Sequence, residues 1–297
     1  MSKLTNPLKK ITFIYLFLLA SCGLSLSATA DVALYKIKDS DTTIYLMGTI
    51  HILPKGTNWQ TNAIQEAFDA SDSLVVEVSQ STMTPADMQP LIMKYGLLPN
   101  GATLESVLDA DVYAMIKNLY GSNAQAWAQV NRMQPWLLGV TISAGQMVQS
   151  GFDPNSGVDK VLEGLAITAG KNVISLETAE YQMKALASMG NIIKSGMLKE
   201  MLEDLPAITT QINQMKDAWM QGDMDKLAVI MNEEMAEFPA AMETMLYTRN
   251  ANWIGQIDQM MAKPGTVFIA VGAGHLAGEK SVIDLLKKAG IPVEQVQ

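Results

Sequence analysis

Short apolar segments alternate along the chain with longer segments of helical periodicity. The later apolar segments do not alternate with polar residues, which is typical of strands buried on both faces of a parallel sheet. The first two flank Asp39-Ser40-Asp41 and predict a hairpin. The predicted strands cover residues 33–38, 43–47, 73–78, 172–176, 266–271 and 291–296.

Helical periodicity fills the intervals between these strands. Apolar residues recur every three or four positions, as at Val112, Met115, Ile116 and Leu119, which predicts amphipathic helices. The predicted helical segments cover residues 57–70, about 84–150, 158–170, 178–262 and 276–289. The pattern predicts an α/β fold with a central, mostly parallel sheet and a large helical insertion. Because no Pro-, Gly- or Ser-rich linker interrupts residues 31–297, we expect a single domain.

Residues 1–30 predict a secretory signal peptide that is not part of the fold. They carry three lysines and no acid, and residues 11–20 form an apolar run that is short for a bilayer span. Two processing sites remain open. Ala28-Thr29-Ala30 fits release of a soluble protein, whereas Leu19-Ala20-Ser21-Cys22 resembles a lipobox and would place a lipid on Cys22. In both cases we expect export to the periplasm or cell envelope.

The charge of the remaining chain limits its partners. The net charge is −9, and removal of the signal peptide with its three lysines and no acids lowers it to −12. Such a domain repels nucleic-acid phosphates and anionic lipids, so we expect no nucleic-acid partner and membrane contact only through the leader or a lipid on Cys22. Cys22 is the single cysteine, so the mature domain has no disulfide and no thiol nucleophile.

The chain has two histidines, and each closes a G-x-x-H motif directly after an apolar segment. The motifs are Gly48-Thr49-Ile50-His51 and Gly272-Ala273-Gly274-His275. Glycine lets the chain turn sharply off a strand, and open α/β folds bind ligands at the carboxyl edge of the sheet. We therefore expect both imidazoles to face one crevice. The alternative is that each histidine only hydrogen-bonds loop backbone.

Three further charged residues are candidates for the same crevice. Glu77 and Glu177 each stand at the carboxyl end of an apolar strand, where a carboxylate is costly unless it is paired or bound to a metal. Alternatively, Glu77 points to water and Glu177 caps the next helix. Arg249 lies on the last long helix before His275, where it is suited either to stabilise an oxyanion or to form an ordinary salt bridge.

Several classes of enzyme are excluded because their motifs are absent from the sequence. The glycines after residue 271 miss the dinucleotide-binding spacing, those near residue 170 miss the phosphate-loop spacing, and neither G-x-S-x-G nor H-E-x-x-H occurs. Two imidazoles with carboxylates are ligands suited to Zn, Mn, Fe or Co, with an open position for water. The many methionines of residues 178–262 either fill the core or line a groove for an apolar peptide.

The order and spacing of these motifs resemble the TraB/PrgY/GumN family, close to its bacterial GumN branch. The resemblance covers nearly the whole chain after residue 30. The matching motifs are residues 42–51, Val76-Glu77, Leu176-Glu177-Thr178, Arg249-Asn250 and residues 271–278. The resemblance implies similarity to the Tiki metal-dependent proteases, and a wider kinship to ChaN-like and erythromycin-esterase-like (EreA-like) folds.

By this resemblance the paired histidines of the family fall on His51 and His275, and its glutamates on Glu77 and Glu177. The resulting hypothesis is a secreted metal-dependent hydrolase, in particular a peptidase acting on a peptide or protein. His51, His275 and Glu77 would bind Mn, Co or Zn. Glu77 would otherwise act as general base, Glu177 as a further ligand or orienter, and Arg249 as the group that steadies the tetrahedral intermediate. The alternatives are a non-enzymatic peptide- or haem-binding envelope protein and a metal-independent, esterase-like hydrolase.

Overall fold

A computed structural model describes residues 30–81, 83–188, 190, 195–235 and 239–297. The predicted signal peptide and Cys22 lie outside these residues. Among the described helices, none is both long and apolar enough to cross a membrane.

A six-stranded sheet with the order β6-β4-β7-β2-β1-β8 forms the centre of the protein. The four strands β6, β4, β7 and β2 are parallel to one another, whereas β1 is antiparallel to both β2 and β8. The strands are β1 Leu34–Lys38, β2 Thr42–Thr49, β3 Leu53–Pro54, β4 Ser73–Val76, β5 Phe152–Asp153, β6 Asn172–Ser175, β7 Gly265–Gly272 and β8 Glu294–Gln295. The predicted α/β fold with a mostly parallel sheet is thus confirmed.

Helices cover the sheet and form the large insertion. The helices are α1 Asn62–Asp69, α2 Pro85–Leu91, α3 Ala110–Tyr120, α4 Ala124–Val130, α5 Pro135–Gln149, α6 Val158–Thr168, α7 Ala179–Ser188, α8 Ser195–Glu203, α9 Leu205–Met220, α10 Met224–Met235, α11 Pro239–Met242, α12 Thr248–Met261 and α13 Val282–Lys288. The stretches Ile92–Gly96 and Glu243–Tyr247 are π-helical. The predicted helical segments therefore exist, and the two long ones, residues 84–150 and 178–262, are divided into shorter helices.

Two apolar cores support this architecture. The main core lies on the sheet, where the buried Phe268 of β7 meets Phe68 of α1 edge to face at 5.6 Å between ring centroids. The second core lies within the insertion, where α3, α5 and α8 contribute apolar side chains such as Ile116, Leu138 and Leu198. The insertion thus buries its own apolar surface, and this burial favours its folded form.

Two local predictions were wrong. The last helix begins at Val282, not at residue 276, because Gly278 and Lys280 adopt positive φ values of 74° and 55°, which a right-handed helix does not accept. Ser281 then caps α13 by accepting a hydrogen bond from the Asp284 N–H (3.1 Å). The loop at residues 151–157 contains β5, which pairs with β3 in a separate two-stranded sheet. Two-residue strands are too short to give a periodic pattern.

Candidate functional site

The carboxyl ends of the parallel strands meet at one edge of the sheet, and the predicted site residues follow them. β2 and β7 pair with Thr49 opposite Gly272, so the two G-x-x-H turns leave the sheet side by side. Glu77 follows β4 and Glu177 follows β6, and the Glu177 N–H donates to the Glu77 carbonyl oxygen (2.9 Å). The sheet therefore gathers residues that are distant in sequence at the edge where such folds bind ligands.

Gly272 lies at the centre of this group. A Cβ atom at this position would stand 3.0 Å from Glu77 Oε1, 3.6 Å from His51 Nε2 and 3.6 Å from His275 Cδ2. The Gly272 N–H also donates to Glu77 Oε1 (2.7 Å). The lack of a side chain at residue 272 thus leaves a small space around which a carboxylate and two imidazoles face one another.

His275 is buried and held in one tautomer. Its Nε2 lies 3.0 Å from Nη1 of Arg249, which can only donate, so Nε2 accepts. The hydrogen is therefore on Nδ1, which donates to Asn250 Oδ1 (2.5 Å). Burial, together with the positive charge of Arg249, lowers the pKa of His275 to about 4 against the opposing charge of Glu77. At neutral pH the ring is uncharged, with its lone pair on Nε2.

Glu77 is only 8% exposed and faces the site. Its Oε2 accepts a hydrogen bond from Arg249 Nη2 (2.6 Å), and its Oε1 lies 3.6 Å from His275 Nε2. Burial alone would raise the pKa of Glu77, but the positive charge that His275 gains in acid and the permanent charge of Arg249 outweigh it and lower the pKa to about 2. Glu77 is therefore a carboxylate throughout the physiological pH range and a weak base.

His51 stands on the open side of the site. Solvent reaches 66% of its side chain, although the imidazole lies between the walls of the cavity described below. Its Nδ1 is 3.2 Å from Asp159 Oδ1, an ion-pair contact that is not aligned as a hydrogen bond, since this oxygen receives none. Asp159 raises the pKa of His51 above its ordinary value, although burial opposes the shift. The contact leaves Nε2 directed towards Gly272.

Arg249 joins the two glutamates. It is 3% exposed, and its Nε and Nη2 donate to the two carboxylate oxygens of Glu177, each at 2.8 Å. Glu177 also accepts a hydrogen bond from Trp253 Nε1 (3.0 Å). Arg249 thus forms buried salt bridges to Glu77 and Glu177, and Glu177 lies behind Arg249, away from the open space at Gly272.

An apolar cavity of about 950 Å³ opens onto the site. His51, Glu77, Arg249 and His275 are among its lining residues. Among the described residues, six methionines contribute to its walls: Met83, Met88, Met147, Met215, Met231 and Met245. Some methionines of residues 178–262 therefore line a cavity, whereas others, such as Met224 and Met242, are buried.

The described residues contain no group of three His, Cys, Asp or Glu side chains placed to hold a metal ion as they stand. The guanidinium of Arg249 instead contacts two of the predicted ligands. It donates hydrogen bonds to His275 Nε2 and to Glu77 Oε2. These atoms belong to two of the three predicted ligands and could otherwise bind a metal ion.

Three functional candidates were missing from the sequence analysis. Asn250 orients His275, Asp159 contacts His51, and the buried Glu163 binds the loop that follows Glu77. A weak signal existed for each. Asn250 directly follows Arg249, and Asp159 and Glu163 stand four residues apart on one predicted helix, where side chains share a face.

Comparison with known proteins gives several relatives of low identity. The chain is 25% identical to a "Metalloprotease TIKI homolog" of Amphimedon queenslandica over 91% of the chain and 62% of that protein. It is 23% identical to "Metalloprotease TIKI2" of Danio rerio over 84% of the chain and 58% of that protein. It is 22% identical to "Uncharacterized protein YbaP" of Escherichia coli over 82% of the chain and 87% of that protein. The chain thus spans less than two thirds of both metalloprotease relatives. No solved structure matches it significantly.

A family-level comparison covers the whole described fold. The sequence profile of the TraB/PrgY/gumN family matches residues 33–295, from the start of β1 to the end of β8. This match includes both G-x-x-H turns and both glutamates, and it confirms the resemblance seen in the motifs. The chain belongs to the TraB/PrgY/gumN family.

Proposed function

We propose that this protein is a metal-dependent hydrolase whose substrate is a peptide segment with apolar side chains. One observation carries the proposal. Both imidazoles have their Nδ1 atoms next to an oxygen, of Asn250 for His275 and of Asp159 for His51, and both rings face the space at Gly272 that Glu77 also faces. In metal-binding histidines, the ring nitrogen that does not bind the metal characteristically donates a hydrogen bond to an oxygen.

The charges of the site support a divalent cation. Among the described residues that line the cavity, Glu77, Asp159 and Glu163 bring three carboxylates, whereas Arg249 brings one positive charge. Arg249 is shared with the buried Glu177 behind it, so the lining carries a surplus of negative charge. Uncompensated carboxylates in a concave site attract cations strongly.

The donor types fit such an ion once one hydrogen bond changes. Binding at His275 Nε2 requires Arg249 Nη1 to release this nitrogen. Nη1 also donates to the Met245 carbonyl oxygen (2.9 Å), so it keeps a partner after the release. Two imidazoles and a carboxylate form a ligand set typical of catalytic Zn, Mn or Co sites.

Each residue then has a distinct role in the proposal. A divalent transition metal held there would supply Lewis acidity and an activated water for hydrolysis. His51, His275 and Glu77 hold the ion, and the low pKa of Glu77 favours this role over that of general base. Arg249 donates at the site edge where negative charge develops on a substrate oxygen. Glu177 keeps the guanidinium in place.

The cavity supports a peptide substrate with apolar side chains. Its volume of about 950 Å³ is large for a small-molecule pocket, which typically measures about 300–1,000 Å³. Methionine side chains are flexible and adapt to apolar groups of different shapes. The TIKI relatives are named metalloproteases. The proposal also includes export, since residues 1–30 have the composition of a signal peptide.

Metal analysis with activity measurements tests the proposal. We expect about one equivalent of Mn, Co or Zn in the purified mature chain and loss of this metal in His51→Ala and in His275→Ala, each confirmed as folded by circular dichroism. Peptides with large apolar residues should be cleaved, chelation should stop cleavage, and added metal should restore it. Unchanged metal content in both histidine variants would overturn the proposal.

A second function is favoured by the position of Arg249, which satisfies both Glu77 and His275 without a metal. In this function the cavity binds an apolar peptide or haem and no bond is cleaved. A Soret band that appears on adding haem and disappears in His51→Ala would support it. Cleavage that persists after exhaustive chelation would instead indicate a metal-independent, esterase-like hydrolase.

A further inference from the structure

Helix α6 contacts two of the segments that carry polar residues of the cavity, the first G-x-x-H turn and the loop after Glu77. At its start, the Val158 N–H donates to the carbonyl oxygen of Ile50 (2.9 Å). Gly157 packs directly on His51, because a Cβ atom at residue 157 would lie only 2.3 Å from the His51 carbonyl oxygen. The first turn of α6 thus fixes the backbone at the end of the first G-x-x-H motif.

Asp159 extends this contact to the imidazole. Its Oδ1 lies 3.2 Å from His51 Nδ1, and its Oδ2 accepts a hydrogen bond from the side chain of Gln80 (3.3 Å). His51 is otherwise exposed on the open side of the cavity, so few other contacts restrain its ring. An acidic partner at Nδ1 favours the tautomer that carries hydrogen on Nδ1 and a lone pair on Nε2.

Glu163 holds the loop after Glu77 from the same face of α6. It is 5% exposed. Its Oε1 accepts hydrogen bonds from the Ser79 hydroxyl (2.5 Å) and the Ser81 N–H (2.9 Å), and its Oε2 accepts one from the Gln80 N–H (3.0 Å). Burial would raise the pKa of Glu163, but these hydrogen bonds outweigh it and lower the pKa.

Asp159 and Glu163 therefore hold two linked segments, the turn at His51 and the loop after Glu77. Residues four apart on a helix lie on the same face, so Asp159 reaches His51 while Glu163 reaches the loop at residues 79–81. Gln80 links the two, because its backbone N–H binds Glu163 and its side chain binds Asp159. All the donors to Glu163 are backbone or neutral side-chain groups, which hold a loop in one conformation.

We propose that Asp159 and Glu163 are positioning residues, which fix His51 and the Glu77 loop in the arrangement needed to bind a metal ion. This inference rests on the proposed function, because a metal site is what the arrangement would serve. The partner shell of a metal site typically accounts for about 10–100-fold in metal affinity. Neither residue needs to touch the metal or the substrate to have this effect.

The experiment uses the untagged mature chain, in which His51 and His275 give the only imidazole signals. The ¹⁵N chemical shifts of both rings are measured without metal, at a pH alkaline enough for both rings to be neutral, and Co²⁺ is then titrated as the probe. The variants are Asp159→Ala, Asp159→Asn and Glu163→Gln. Lys160→Gln serves as the matched control, because Lys160 is exposed on the same helix.

We expect His51 to carry hydrogen on Nδ1 in the wild type and to shift towards the Nε2–H tautomer in Asp159→Ala. Asp159→Asn keeps the oxygen but removes the negative charge, so it should restore the wild-type tautomer only in part. Asp159→Ala and Glu163→Gln should weaken Co²⁺ binding about 10–100-fold, and the control should not change it. Glu163→Gln places a side-chain NH2 group opposite the Gln80 N–H, which loses its acceptor and loosens the loop. The backbone amides of Gln80 and Ser81 should therefore exchange faster with solvent.

Several outcomes decide between the two proposals. A His51 tautomer and a Co²⁺ affinity that stay unchanged in Asp159→Ala would overturn the inference, as would a Glu163→Gln variant that behaves like the control. If the wild type binds no Co²⁺, the proposed metal-dependent function fails. The tautomer of His51 and the exchange of the Gln80 and Ser81 amides then decide the positioning roles on their own.

Discussion

Replacement of Arg249 by methionine should strongly destabilise the fold at neutral pH. The guanidinium is the buried counter-ion of Glu77 and Glu177, at 2.6 Å and 2.8 Å. Methionine has a similar length but no charge, so Arg249→Met leaves both carboxylates buried without a counter-ion, each keeping only neutral hydrogen-bond donors. Removal of one member of a buried ion pair costs about 3–5 kcal/mol of unfolding free energy.

The pKa of Glu77 sets an upper bound on the part of this loss that comes from Glu77, because His275, His51 and the Gly272 N–H lower this pKa together with Arg249. It falls from an ordinary 4.5 to about 2 in the folded protein, which corresponds to about 3 kcal/mol of stability at neutral pH. Because the folded pKa is depressed, this contribution is fully present above pH 4.5 and is lost as the pH falls towards 2. Arg249→Met removes one of the charges that lower this pKa. The gap in stability between wild type and variant should therefore shrink on acidification.

Urea unfolding followed by circular dichroism measures this gap. The unfolding free energies of wild type and variant are compared near neutral pH and at about pH 3. Arg132→Met is the matched control, since Arg132 is the other arginine of the chain and is exposed. The control should change stability by less than about 0.5 kcal/mol. A loss below about 1 kcal/mol in Arg249→Met, equal at both pH values, would show that the buried ion pairs do not stabilise the fold.

Three further predictions concern the site and its support. Gly272→Ala should abolish metal binding while the fold persists, because the new methyl group would stand 3.0 Å from Glu77 Oε1 in the space between the two imidazoles; metal analysis beside a thermal melt checks this. Asn250→Ala removes the oxygen that accepts the Nδ1 hydrogen of His275, so Co²⁺ affinity should fall about tenfold or more in an isothermal titration. Trp219→Phe deletes the indole hydrogen bond to the carbonyl of residue 48 (2.8 Å) and leaves a buried carbonyl without this donor, which should cost about 1–3 kcal/mol in urea unfolding.

Much of the fold was predictable because its signals are local. β2, β4 and β7 are apolar runs, and such runs are expected where both faces of a parallel sheet are covered. β6 lies at the edge of the sheet, and most of its residues are exposed. The glycines at the ends of β2 and β7 indicate sharp turns off the sheet. The signals failed where the local backbone departs from the pattern, as at Lys280, whose positive φ delays the start of α13.

The candidate site was only partly predictable. The paired G-x-x-H motifs and the acids after apolar strands singled out His51, His275, Glu77 and Glu177, because parallel strands bring their carboxyl ends to one edge. The sequence also marked Arg249. It left two roles open for this residue, a salt bridge or oxyanion stabilisation, and the salt bridges to both glutamates are visible only in the folded chain.

The sequence by itself therefore determined the class of fold, the family and the edge of the sheet at which polar side chains gather. Only the tertiary structure decided which atoms meet there. Arg249 and Glu77 are 172 residues apart, and the tautomer of His275 depends on two neighbours on α12. Periodicity reports which face of an element is buried, but it carries no information about which distant side chain faces another. That choice depends on the packing of α6 and α12 against the sheet.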